Sequence, residues 1–232
     1  MKELDTIKVP NSCSFTVPIM RVATVLAALF GTSLAATGFD AIGAISTSHF
    51  SCMKSHGHSF FIGRVFRSSG TVDSQGIQNI KNAKAVGIAH VDGYIFPCTT
   101  SSCPSPATQI SETSKALKSA GASVGMLWLD IERYQWPSDH TKNRQFIEAM
   151  GKELTSLGYK WGVYSNYNNW ESIVGLDWTG MSSKSLWWAT YNGQANFNDF
   201  KAFGGWSKPS IHQYNGDVTG PCSFSIDTNW YP

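Results

Sequence analysis

Apolar residues along positions 37–232 fall into short runs separated by amphipathic stretches. The organising run is Val124 to Arg133, VGMLWLDIER, which is preceded by Gly121, contains Gly125, and has Asp130 and Glu132 near its end. A run of this length suits a buried parallel strand, and helix-like segments on both sides favour that reading over a helix. Side chains two apart on a strand share a face. Asp130 and Glu132 are therefore expected together, roughly 6–7 Å apart at about 3.3 Å of rise per residue. Trp128 shares their face, as core or as wall.

The rest of the pattern predicts alternating elements. Strands are expected at Gly38 to Ile45, Phe60 to Phe66, Ala89 to Phe96, Tyr159 to Ser165, Ser185 to Thr190, Ser210 to Tyr214 and Phe224 to Asp227. Apolar spacing of three and four residues predicts helices at Ser74 to Val86, Thr108 to Ala120 and Thr141 to Leu157, the last two stopped by Gly121 and Gly158. After Ser165, loops rather than clear helices join the strands. Strand–helix alternation argues for parallel βαβ units. The fold class is therefore α/β: a single irregular (β/α) barrel of about eight strands, with helices missing or shortened in the C-terminal part.

In such barrels reactive groups gather at the C-terminal ends of the strands. Those ends would present Asp40, Arg67, Tyr94, Asp130 with Glu132, Tyr164, Trp188 with Tyr191, Gln213 with Tyr214, and Asp227: an acidic centre walled by aromatics. Two carboxyls on one face of an apolar strand are costly to bury, and their repulsion raises at least one pKa. A protonated acid beside an ionised one is what cleaving a glycosidic bond requires. The alternative is a pair of acids satisfied by an arginine or by backbone amides at a strand end. Arg67 fits either picture, as partner of a site carboxylate or as a strand-end cap.

The N-terminal pattern differs. From Met20, MRVATVLAALFGTSLAA has a basic residue, an apolar run and then small residues, the form of a secretory signal cleaved near Ala35 or Ala36. Residues 1–36 read as an N-terminal extension with that signal, and 37–232 as the barrel. The apolar run is short for a membrane span, so no stable membrane insertion is expected. Cys52, Cys98, Cys103 and Cys222 follow the signal, an even number that suggests two disulfides in an exported chain. Cys98 and Cys103 close the small loop CTTSSC and pair most simply with each other, leaving Cys52 with Cys222; three pairings exist in all. His56 and His58 form an HxH in a polar loop and read as solvated, so no metal and no cofactor is expected.

The formal charge is +2, from 18 basic and 16 acidic residues, with no basic run, which argues against nucleic acid. Aromatics, with 9 Trp, 8 Tyr and 13 Phe, are abundant beside the charged residues. Most fill core, and a few can stack on sugar faces.

The motifs Gly38-Phe39-Asp40, the segment 47–54 in part, DGYIFPC ending at Cys98, LWLDIE ending at Glu132, WGVYSN ending at Asn166, LWWATY ending at Tyr191, HQYNGDVTG ending at Gly220 and SIDTNWY near the end occur in this order. Together they resemble the glycoside hydrolase family 25 lysozymes, the Chalaropsis type, in their nematode and amoeba branch. The resemblance covers the whole region after residue 36. It implies a muramidase that hydrolyses the β-1,4 bond between N-acetylmuramic acid and N-acetylglucosamine in bacterial peptidoglycan. By position it makes Glu132 the general acid, Asp130 its partner carboxylate, and Asp40 and Asp227 flanking acids. Tyr94 becomes an aromatic that steadies the transition state. Tyr164, Trp188, Tyr191, Gln213 and Tyr214 are the remaining expected substrate contacts. The serine- and proline-rich segment 99–107 departs from bacterial members. A monomer is expected, either secreted or in the lumen of a lysosome or digestive vacuole.

Two other readings compete. A chitinase-like glycosidase would carry a D-x-x-D-x-D-x-E run, but Gly125 and Trp128 occupy the two earlier acidic positions. A catalytically silent sugar-binding protein on the same barrel would need only the aromatics.

Overall fold

Eight strands close on themselves around an aromatic interior in the computed structural model, which describes residues 35–232. The strands are β1 (Ala36–Ala41), β2 (His58–Arg67), β4 (His90–Ile95), β5 (Leu127–Asp130), β6 (Trp161–Ser165), β7 (Ser185–Ala189), β8 (Ile211–Thr219) and β9 (Ser225–Tyr231). A two-residue strand, β3 (Thr71–Val72), forms a hairpin with β2 outside the closed ring. All neighbours from β1 round to β8 pair in parallel. β9 is antiparallel to both β8 and β1 and closes the ring.

Helices α1 (Thr47–Ser55), α2 (Ser74–Ala85), α3 (Pro106–Ser119), α4 (His140–Ser156) and α5 (Tyr167–Val174) cover the outside. Local chemistry sets their starts. The side chains of Ser46, Asp73, Ser105, Asp139 and Asn166 each accept a backbone N–H in the first turn, which satisfies donors that a helix end leaves free. α5 has 8 residues and no helix lies between β7 and β9, so the helical layer thins toward the C-terminus as expected.

Several expectations are corrected. α1, α5 and β3 lie where no element is predicted. The central strand is shorter than its apolar run, ending at Asp130, so Glu132 sits beyond the strand. The last strand is antiparallel because β8 and β9 form a hairpin rather than a crossover. Cys13 and the signal-like segment up to residue 34 fall outside the described residues, while Ala36, at the end of that segment, opens β1.

Strand alternation divides the core in two. Phe39, Phe61, Val65, Leu129, Val163 and their neighbours face the helices. Phe60, Ile62, Tyr94, Trp128, Tyr164, Trp187, Ala189 and Ile211 fill the barrel. The Trp128 ring lies against the backbone of Gly162, where any side chain would collide with it. Its Nε1 donates to Asp92 Oδ2 at 3.0 Å, which makes Trp128 core at the floor rather than wall at the mouth.

Both disulfides form as the simplest pairing predicts. Cys98–Cys103 closes its small loop, and Cys52–Cys222 ties α1 to the β8–β9 hairpin across 170 residues. Among the described residues, no helix is long and apolar enough to cross a membrane.

Candidate active site

The mouth of the barrel collects all four predicted carboxyls. Asp40, Asp130, Glu132 and Asp227 line one small central depression of about 110 Å³ with Tyr94, Tyr164, Trp187, Tyr191 and Gln213. Asp40 and Asp130 come from the ends of β1 and β5, as the parallel-barrel rule requires. Asp227 arrives from the start of β9, because an antiparallel strand brings its N-terminal end to the same rim. Glu132 reaches the rim from the segment after β5. That segment is pinned by Ile131 N–H donating to Tyr164 O at 2.8 Å and by Ser165 Oγ donating to Ile131 O at 2.7 Å.

The carboxyls differ in their surroundings. Asp40 is buried, and its Oδ1 accepts from Gln213 Nε2 at 2.8 Å and from Asn229 Nδ2 at 2.7 Å. Burial, and then the charge of Asp227, raise its pKa well above the usual carboxylate range despite those two donors. Asp227 Oδ1 accepts the backbone N–H of Asp217 at 2.6 Å. Asp217 itself holds a left-handed backbone at φ 53°, an uncommon conformation for a residue other than glycine.

Asp130 is only 5% exposed, and its Oδ1 is buried with no partner. Burial, then the charges of Glu132 and Asp40, raise its pKa strongly. Glu132 is half-buried; burial and then Asp227 raise its pKa. The site therefore binds protons more tightly than the same carboxyls would in water.

Around the acids runs a polar relay. Tyr164 Oη donates to Gln213 Oε1 at 2.7 Å, and Tyr191 Oη to the same atom at 3.1 Å. Trp187 Nε1 donates to Asn229 Oδ1 at 2.7 Å. The Trp187 ring meets Tyr164 edge-on at 4.6 Å and Tyr94 at 6.1 Å.

Two further depressions continue the centre. One arm, about 330 Å³, shares Glu132, Tyr164 and Tyr191 with it and adds Asn166, Tyr167, Asn168, Trp188, Asp199 and Lys201 among its walls. The other, about 420 Å³, shares Asp40, Tyr94 and Asp227 and adds Ile42, Asp217 and Phe224. The result is a groove across the mouth with the acids at its middle, a shape suited to a polymer.

Asp40, Tyr94, Asp130, Glu132, Tyr164, Tyr191, Gln213 and Asp227 converge as expected. Trp188 lines one arm of the groove and stacks on His212 at 4.1 Å, while its neighbour Trp187 faces the acids. Two expectations need correction. Tyr214 lies with His212 on the outer face of β8, opposite Gln213. Arg67 belongs to neither predicted role: with Arg64 it pairs to buried Asp73, at 2.8 and 2.7 Å. Asn229 and Trp187 are not among the expected residues, and only the parity of β7 and β9 points to them.

His56 is exposed, whereas His58 is half-buried and packs edge-on to Phe39 at 5.5 Å. Among the described residues, Cys52, His56 and Cys222 have ligand-like spacing, but the two sulfurs are joined as a disulfide.

A closed, mostly parallel barrel with an acidic cluster at the centre of an aromatic groove is the architecture of a glycoside hydrolase. The family model described as Lysozyme-like protein 1 matches residues 32–214. Lysozyme-like protein 5 of Caenorhabditis elegans is 52% identical over 200 residues, covering 86% of this chain and 93% of that protein. Probable GH family 25 lysozyme 2 of Dictyostelium discoideum is 40% identical over 198 residues, covering 85% and 92%. The solved family GH25 lysozyme from Aspergillus fumigatus shares the fold with a TM-score of 0.67 at 20% identity, over 85% of this chain and 94% of that one. The chain belongs to the glycoside hydrolase family 25 lysozymes.

Proposed function

We infer that the protein is an N-acetylmuramidase that hydrolyses the β-1,4 bond between N-acetylmuramic acid and N-acetylglucosamine in bacterial peptidoglycan. Glu132 is the general acid. Its raised pKa favours the protonated form at the groove's middle, and its partial exposure lets a glycosidic oxygen approach.

The observation that carries the mechanism is the unpartnered Oδ1 of Asp130, buried and lining the centre. A buried acceptor without a donor is costly, and a substrate N–H would satisfy it. The 2-acetamido group of the sugar supplies that N–H. With Asp130 holding it, the acetamido oxygen attacks the anomeric carbon as the bond to the leaving oxygen breaks. Glu132 passes its proton to that oxygen. Water then opens the cyclic intermediate at the anomeric carbon, returning its proton to Glu132 and releasing the acetamido group. Substrate assistance of this kind is an established departure from the two-carboxylate scheme. Ionisation of Asp130, disfavoured by burial in the empty site, becomes favourable once the N–H and the developing positive charge arrive.

Asp40 and Asp227 flank the reacting sugar and add negative potential for the oxocarbenium-like transition state. Tyr94 and Tyr164 wall the centre, and Tyr191, 62% exposed, stands at its rim. The proposal includes export, to the outside or to a lysosomal or digestive lumen, supported by two disulfides and the signal-like pattern from Met20. The groove is built by one copy of the chain, and a monomer is taken as the working unit.

The test is clearing of bacterial cell walls by wild type and by Glu132→Gln. Loss of a positioned acid should cost about 10²–10⁴-fold. Equal clearing would remove Glu132 from its role, and a trapped glycosyl ester on Asp130 would contradict the substrate-assisted route.

A further inference from the structure

The groove is strongly acidic. Asp40, Asp130, Glu132, Asp199, Asp217 and Asp227 all line it. Among the described residues, Lys201 is the only lysine or arginine lining any of its three parts. It stands on the loop between β7 and β8, in the arm that also holds Glu132.

Its position is set. Nζ lies 3.8 Å from the centroid of the Tyr167 ring, a cation–π contact that holds the ammonium over α5 at the wall of the arm. Lys201 takes part in none of the four ion pairs among the described residues. Asp199, the nearest acid along the chain, is engaged instead as acceptor for Asn192 Nδ2 at 2.9 Å.

We propose that Lys201 is a specificity residue that binds a carboxylate carried on the 3-O-lactyl group of the muramoyl sugar, either the free lactyl carboxylate or one on the attached stem peptide. The inference rests on the muramidase reading above. The acidic side chains give an anionic glycan no favourable seat along the rest of this groove, and one cation offers its carboxylate a single one. A polymer of N-acetylglucosamine alone has no such group, so the contact favours wall over chitin. An exposed pair of this kind is screened and modest in strength, corresponding to about two- to fivefold in binding.

The test is a double-substitution cycle on soluble peptidoglycan fragments, native and with their carboxylates amidated, read as released reducing ends. Wild type should lose about two- to fivefold in kcat/KM on amidation, carried by KM, and the loss should vanish at high salt. Lys201→Met should begin at the lower value and not respond to amidation, while Lys201→Arg should behave as wild type. Strands stripped of peptide separate the sources: a persisting Lys201 effect assigns the lactyl carboxylate, and its disappearance assigns the stem peptide. An equal response to amidation in wild type and Lys201→Met would overturn the inference while leaving the muramidase reading intact. Failure of wild type to release reducing ends from native fragments would instead defeat the muramidase reading, and this inference with it.

Discussion

Asp40 and Asp227 stand directly opposite each other across the antiparallel β1–β9 pair. Like charges in that relation destabilise a sheet, so the pairing favours a shared proton over two full charges. Burial, then the charge of Asp227, raise the pKa of Asp40, and burial raises that of Asp227. The fold therefore binds protons here more tightly than the unfolded chain does. This contribution to stability is complete below about pH 4, the ordinary carboxylate value, and is lost as pH rises through the raised folded values.

Asp227→Asn should accordingly melt higher than wild type at neutral pH, by roughly 2–4 °C for each 1 kcal/mol recovered, and the gap should close below about pH 4. Asparagine keeps an acceptor for the Asp217 N–H, so the loop contact survives the change. Activity should fall even as stability rises. Asp73 works in the opposite sense: burial opposes its charge, but hydrogen bonds from Arg67 and Arg64 bring its pKa below the usual range. Its contribution is present above about pH 4 and lost as pH falls through its folded value, so both proteins should weaken at strongly acid pH. Calorimetry across pH 3–8 checks each sign; an Asp227→Asn melt below wild type at neutral pH would contradict the assignment.

Asn229 is fully buried and joins Trp187 to Asp40. Asn229→Ala leaves an indole N–H without an acceptor and removes one of the two amide donors to Asp40. The expected loss is about 1–3 kcal/mol. The Asn229 donor lowers the Asp40 pKa, so its removal should also move the acid limb of the activity profile to higher pH. Denaturant titration and a pH–rate series measure the two effects separately; a stability loss with an unmoved acid limb would leave Asn229 a packing residue only.

The Cys52–Cys222 bond spans 170 residues and anchors the hairpin that delivers Asp227. A double Cys52→Ser, Cys222→Ser variant should lose about 2–5 kcal/mol, as expected for a link closing a long loop. Cys98–Cys103, separated by 5 residues, should matter less to global stability. Thermal melts of the two double-serine variants rank them, and a larger loss at Cys98–Cys103 would contradict that ranking.

Much of this site was legible before any coordinates, because period-two alternation and the strand-end rule together send Asp40, Tyr94, Asp130 and Tyr164 to one rim. The rest lies beyond that logic. In LWWATY the adjacent tryptophans carry no polar mark to fix parity, so the sequence does not show that Trp187 faces the acids while Trp188 lines one arm. At Gln213-Tyr214 alternation sends the two side chains to opposite faces, and only Gln213 reaches the acids. Asp227 reaches the rim on an antiparallel return, which nothing in its short apolar run distinguishes from a crossover. The helix α5, YNNWESIV, is short and rich in asparagine, and tertiary packing rather than propensity supports it. Asn229 carries no mark of its role in the sequence; its place on β9 turns it toward Asp40.

The central claim, that this groove cleaves the muramoyl bond with the Glu132 proton, is tested most directly by identifying the new reducing ends in peptidoglycan digested by the wild-type protein. The account predicts N-acetylmuramic acid at those ends, and none formed by Glu132→Gln. Reducing ends of N-acetylglucosamine, or equal release by the variant, would contradict it.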